Sequence, residues 1–227
     1  TETLDSGCAD YIPFFKKLFE RLKVRTFLEF GIGYRTKYFL DHTSKVISVE
    51  FITNGHNPKQ MREYVNLYRN ITNWTPIAFF SGYEGDMSWA PYKYMGSENV
   101  YKADSYQCAN HRSYASINGF YKDELNSFIS NLFKAYKATV SFVQPPIYLR
   151  GDLVQLLFDK SQIIIAQHTG IRYIGLKDDL YGYSRVVTPD NYEEIYLPNA
   201  GITVWMIKND LTQELIAETK KYANSIY

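Results

Sequence analysis

Glu29, Gly31, Gly33 and Glu50 have the types and spacing to grip a nucleotide-bearing ligand. They fall within FLEFGIGYRTKYFLDHTSKVISVEF, Phe27 to Phe51, where two short apolar runs flank a glycine loop. Glycines at a strand-to-helix turn let the backbone approach a ligand that a side chain would block. A dinucleotide fingerprint would read G-x-G-x-x-G, but Thr36 stands at its third position. A helix start there would still favour a phosphate. Glu29 points elsewhere, because a carboxylate repels a pyrophosphate and suits an ammonium. Glu50 ends the second apolar run, where a carboxylate can accept both hydroxyls of a ribose. An NAD ribose would use Glu50 equally well, so that residue alone does not choose the cofactor.

The elements that must hold these residues follow from periodicity. Asp10 to Val24 reads as an amphipathic helix, with Ile12, Phe15, Leu18, Phe19 and Leu22 on one side. Strands are expected over Arg25 to Phe30, Lys45 to Phe51, Thr75 to Phe80, Thr139 to Val143 and Gln162 to Ala166. Helices are expected over Thr36 to Asp41, Pro58 to Ile71, Phe120 to Lys137 and Leu153 to Phe158, with a last one over Leu211 to Tyr222. Glu193 to Leu197 and Ile202 to Ile207, joined by Pro198-Asn199-Ala200-Gly201, read as a hairpin. Strands alternating with helices imply an α/β fold. The expected architecture is a Rossmann-like three-layer sandwich. Its sheet is mostly parallel and seven-stranded, with an antiparallel edge strand from the C-terminal hairpin. Residues 1–227 form one domain in this reading, with a tyrosine-rich insertion at about 83–119 that lacks periodicity and would act as a lid or binding loop.

E-F-G-I-G followed by V-I-S-V-E resembles the class I S-adenosylmethionine-dependent methyltransferase family, in its small-molecule branch. The resemblance implies that Glu29, Gly31 and Gly33 line the methionine end of S-adenosylmethionine and that Glu50 binds its ribose. The family often carries a third glycine where this chain has Arg35, which would either narrow the pocket or face solvent. TVSFVQPPIYLRGDLVQLLFDKSQIIIAQHTG, Thr139 to Gly170, is similar to a later segment of small-molecule methyltransferases. Gln144 and Gln167 occupy strand ends where such relatives often carry acids. Gln144-Pro145-Pro146 is similar to the motif of amino-methylating relatives, in which a side-chain carbonyl accepts from the target amine. The alternative reading of that segment is a strand-ending turn.

His168, expected just after a strand, is the candidate catalytic base, since an imidazole titrates near neutrality. A loop histidine held by hydrogen bonds would look the same in sequence. His111 in the insertion is a weaker candidate. Phe51 could support the adenine or fill the core, and Ser81 or Tyr83 could touch the adenine edge, with Glu84 and Asp86 as alternatives. No metal is expected, because amides at Gln144 and Gln167 are poorer ligands than carboxylates for a hard cation.

Composition bounds the rest. A net charge of +1 gives no broad case for a nucleic-acid or anionic-membrane partner. The 21 tyrosines suit a cleft, although coding bias would give the same count. Cys8 and Cys108 lack metal-site spacing and read as free buried thiols, with a disulfide as the alternative. Apolar runs are far too short for a membrane span. No leader is visible, which favours the cytoplasm, but the chain begins at Thr1, so export stays open. The expected partner is a small-molecule methyl acceptor, with oligomeric state unassigned. Two further readings remain at this point. One is a protein of the same fold that binds a cofactor or partner without turnover, as the missing strand-end acids suggest. The other is an NAD-dependent oxidoreductase, for which neither a third glycine nor a proton relay is found.

Overall fold

The computed structural model describes residues 11–52, 58–80, 83–96, 118–144, 150–174 and 181–224, apart from the side chains of 118–123, 171 and 174. Helix α1 (Ile12–Arg21) precedes β1 (Thr26–Phe30), α2 (Thr36–His42) and β2 (Lys45–Ile52). Next come α3 (Lys59–Leu67), β3 (Trp74–Phe80) and a short β4 (Tyr92–Met95). The second half holds α4 (Asn118–Tyr136), β5 (Val140–Val143), α5 (Arg150–Leu157), β6 (Ile163–Gln167) and a single turn, α6 (Ile171–Ile174). Strands β7 (Tyr192–Leu197) and β8 (Ile202–Ile207) and helix α7 (Gln213–Asn224) close the chain.

The sheet order is β4-β3-β2-β1-β5-β6-β8-β7. Strands from β4 to β6 run parallel, and β8 is antiparallel to both β6 and β7. The expected α/β three-layer architecture is therefore present, with two differences in detail. The sheet has eight strands rather than seven, because β4 inside the insertion adds to the edge beside β3. The antiparallel strand lies one position in from the edge, with β7 outermost, because β8 returns from the hairpin between β6 and β7. Gly201 turns that hairpin at φ 59, a left-handed conformation that glycine adopts without a steric penalty.

Helices cover both faces. On one, Phe14, Phe15 and Leu18 of α1, Phe39 and Leu40 of α2, Met61 of α3 and Leu215 of α7 pack on Phe27, Val46, Phe80 and Phe142. On the other, Leu125, Phe128 and Ile129 of α4 and Leu153, Val154 and Leu157 of α5 pack on Leu28, Phe30, Val49 and Phe79. Burial on both faces explains why the parallel strands read as continuous apolar runs rather than alternating ones. After β1 the chain builds β2, β3 and β4 to one side, then returns to place β5 and β6 on the other. The order thus reverses between β1 and β5, and a ligand crevice forms outside the carboxyl ends of those two strands.

Candidate functional site

The β1–α2 turn sits at that reversal point. Gly31 adopts φ 96, and its amide donates to Val49 O at 2.8 Å, tying the loop to β2. Among the described residues, a Cβ placed on Gly33 would meet nothing within 4 Å. Protein packing therefore does not require the glycine there, and the space beside its backbone is open to a ligand.

Below this loop runs a directed chain of hydrogen bonds. Trp74 Nε1 donates to Ser48 Oγ at 2.7 Å, and Ser48 Oγ donates to Glu29 Oε1 at 2.6 Å. From the other side, Gly33 N donates to Thr36 Oγ1 at 3.1 Å, and Thr36 Oγ1 donates to the same Glu29 oxygen at 2.8 Å. Strand register puts Glu29 opposite Ser48, so the β1–β2 pairing itself delivers the hydroxyl. Glu29 has no exposed surface, and burial raises its pKa to about 8 against the lowering effect of Ser48 and Thr36. Glu29, expected at the methionine end of a cofactor, has its side chain turned toward Ser48 and Thr36. A side chain at a strand end can face a helix layer instead of the ligand, and this one anchors the glycine loop from beneath. Its second oxygen, Oε2, is buried without a hydrogen-bond partner among the described residues.

Glu50 ends up beside the loop. Ile32 N donates to Glu50 Oε2 at 2.7 Å, and the residue is 4% exposed. Burial raises its pKa to about 7, opposed by amide hydrogen bonds from Ile32 and Phe51. Phe51 does not supply an adenine surface. Successive strand residues face opposite sides, so Phe51 turns into the other core layer, fully buried between Phe30 and Phe79.

Gln144 follows β5. Its amide N donates to Phe30 O at 2.9 Å, and its Nε2 donates to Gly31 O at 3.2 Å. Its Oε1 accepts the Tyr11 hydroxyl at 3.0 Å. Arg35, 8% exposed, places its guanidinium 3.9 Å from the centre of the Tyr11 ring and 5.0 Å from that of Tyr34. Sequence reasoning left Arg35 between pocket and solvent and gave Tyr11 no role. No local pattern links two residues that meet only when α1 packs beside the loop.

His168 follows β6 at φ 60, a left-handed conformation uncommon outside glycine. The carbonyl before it, Gln167 O, accepts both Tyr183 Oη at 2.7 Å and Arg150 Nη1 at 3.2 Å. Thr169 N donates to Gly201 O at 3.3 Å, so the turn is fixed on both sides. The residue is exposed, while partial desolvation of the ring and the Arg150 charge hold its pKa below the usual histidine value. The imidazole is then neutral near pH 7, the form a base requires. Tyr83 stacks on Phe80 with ring centres 5.5 Å apart, just after β3. Ser81, His111, Cys8, Cys108 and Pro145 to Tyr148 lie outside the described residues, as does the insertion from residue 97 to residue 117. Among the described residues no group of three or more metal-binding side chains forms, and no helix is long and apolar enough to cross a membrane.

Sheet order and strand-end residues together define a doubly wound α/β protein with its cleft at the β1–β5 reversal. No protein-family model and no curated protein matches the chain. Among solved structures, the chain is similar to the SAH-bound methyltransferase PaMTH1 of Podospora anserina, at 15% identity. That likeness covers 86% of this chain and 76% of the other, with a TM-score of 0.46.

Proposed function

We propose that the chain is an S-adenosylmethionine-dependent methyltransferase that acts on an oxygen or nitrogen of a small molecule. The observation that carries the proposal is the pairing of Glu50 with the glycine loop. Its carboxylate, bonded to Ile32 N, lies near the end of β2 beside a loop whose Gly33 faces open space among the described residues. That arrangement suits a ribose held by the carboxylate and a ligand backbone lying along Gly31 to Gly33. When bound, the cofactor supplies an electrophilic methyl group on a sulfonium. The protein's own contribution is largely positioning, since methyl transfer is an in-line displacement. Glu29 acts through Thr36 by holding Gly33 in place. His168 is the base where the acceptor must lose a proton as it attacks.

One observation favours a second reading, cofactor binding without turnover. Both ends of the Gln144 amide are engaged, by Tyr11 and by Gly31, so the side chain braces the glycine loop and its carbonyl keeps only one lone pair for a target amine. Isothermal titration with S-adenosylmethionine, S-adenosylhomocysteine and NAD tests the main proposal. Both sulfur nucleotides should bind and NAD should not. Folded protein that binds neither would overturn it. Binding without methylation of any member of an amine, phenol and carboxylate panel would transfer support to the second reading.

A further inference from the structure

Arg35 is a buried cation without a counter-charge among the described residues. Every ion pair it could make would need a carboxylate nearby, and no described carboxylate pairs with it. Its described contacts are the rings of Tyr11 and Tyr34 and the Tyr11 hydroxyl. Tyr11 cannot balance the charge, because burial pushes its phenol upward despite the Arg35 guanidinium beside it. Glu29 cannot either, since burial favours its neutral form near pH 7. Leaving one partner of an ion pair buried alone is strongly unfavourable, so a site that keeps such a cation is suited to an anion that arrives with a ligand.

The location agrees with that. Tyr11, which stacks on Arg35, also bonds Gln144 at the end of β5, and Gln144 bonds the Gly31 carbonyl. These contacts put the guanidinium at the strand reversal point, where ligands enter this kind of sheet. Stacking on Tyr11 also holds the planar fork in one orientation, as two parallel hydrogen bonds to a carboxylate require. The cluster of Tyr11, Arg35, Gln144 and Gly31 contains one cation, which matches a single carboxylate better than a phosphate dianion.

We propose that Arg35, oriented by Tyr11, is the receptor for a carboxylate on the ligand bound at the β1–β5 reversal. The inference deepens the methyl-transfer reading, on which it rests for the identity of that ligand. Two sources carry the same chemistry, the amino-acid end of the cofactor and an acidic methyl acceptor.

The test compares wild type with Arg35→Met, which keeps an apolar stem, and with Arg35→Lys. The probes are S-adenosylhomocysteine, its decarboxylated analogue, benzoate and benzamide, with thermal unfolding as the check on folding. If the cofactor is the source, wild type prefers S-adenosylhomocysteine to the decarboxylated analogue by about tenfold or more, the scale of a hydrogen bond to a charged group. Arg35→Met then erases the preference. If the acceptor is the source, both nucleotides bind equally in every variant. In that case the nucleotide-bound protein takes up benzoate and not benzamide, and Arg35→Met loses it. Should Arg35→Met fail to fold, Arg35→Lys carries the same comparison, with a severalfold weakening expected from the lost fork geometry. If no nucleotide binds but benzoate still does so through Arg35, the methyl-transfer reading fails and the carboxylate site stands. A folded variant that matches wild type on every probe, or that loses both nucleotides equally, overturns the proposal.

Discussion

Thr36 Oγ1 lies 2.8 Å from Glu29 Oε1 while accepting the Gly33 amide at 3.1 Å. One hydroxyl thus couples the glycine loop to a carboxyl buried in the sheet. Thr36→Val keeps the side-chain volume and removes the hydroxyl, which leaves the Gly33 amide without its acceptor and Glu29 with one donor fewer. The expected loss is about 1–3 kcal/mol of stability, together with weaker binding of S-adenosylhomocysteine. Urea unfolding and calorimetric titration measure the two effects. Unchanged affinity would separate the chain of hydrogen bonds from the site.

Glu29 sets an alkaline limb of stability. Its pKa rises from the ordinary 4.5 to about 8 in the folded protein, chiefly by burial. Between those values the folded chain keeps a proton that the unfolded chain has lost. Stability is therefore greatest below about 4.5 for this group and falls as pH rises toward 8, by about 1.4 kcal/mol for each unit of difference. Glu29→Gln keeps an acceptor for Thr36 and Ser48 and cannot ionise. The variant should show a flatter decline between pH 5 and 8 in urea unfolding. A slope as steep as that of wild type would assign the decline elsewhere, with Glu50, raised to about 7, next in line.

An acid limb comes from the other end of the sheet. Arg172 Nε and Nη2 grip Glu194 at 2.7 and 2.9 Å, and Tyr173 Oη adds a bond at 2.7 Å. Burial pushes the Glu194 pKa upward, but these partners overcome that push and hold it at about 2, below the ordinary 4.5. This contribution is present above about 4.5 and is lost as pH falls toward 2. Arg172→Met leaves Glu194 partly buried without its cation, and a loss of about 3–5 kcal/mol is the upper range for such a break. The acid limb should shrink in the same variant, as read by the unfolding midpoint at pH 3 against pH 6.

These groups also show what the sequence made legible. The β1–α2–β2 unit was readable because its apolar runs, glycines and closing Glu50 follow one another locally. Strand β4 was not, since Tyr92–Met95 is four residues of largely exposed edge with no apolar alternation to mark it. Adjacency to Glu50 left Phe51 open between an adenine contact and the core, and the two-residue period of a strand, which sends neighbours to opposite faces, puts it in the core. Glu29 was legible as a strand-end acid, but not as a buried one, because Ser48 and Trp74 reach it only through strand pairing. The pairing of Arg35 with Tyr11 is wholly tertiary and had no sequence signal.

Glu50→Ala should weaken S-adenosylmethionine binding by about 1–3 kcal/mol, the scale of hydrogen bonds to a charged group. Part of that loss passes through the Ile32 amide, which Glu50 now holds at 2.7 Å. Glu50→Gln retains an acceptor for that amide and removes only the charge, so its loss reads the ligand's share and the further loss in Glu50→Ala reads the part carried by the Ile32 amide. Calorimetric affinities equal to wild type in both would remove Glu50 from the site.

His168 offers the most direct separation of chemistry from fold. Its backbone sits at φ 60, which asparagine tolerates better than most residues. His168→Asn therefore removes the imidazole while preserving the turn, and its unfolding midpoint should match wild type. Where the acceptor must lose a proton, formation of S-adenosylhomocysteine should fall by about 10²–10⁴-fold. The pKa is shifted downward by desolvation and Arg150, so wild-type turnover should stay level at neutral pH and decline only below the usual histidine range. That limb should vanish in the variant. Turnover that keeps both its rate and its acid limb in a folded His168→Asn protein would reduce His168 to a turn residue and move the search for a base to another strand end.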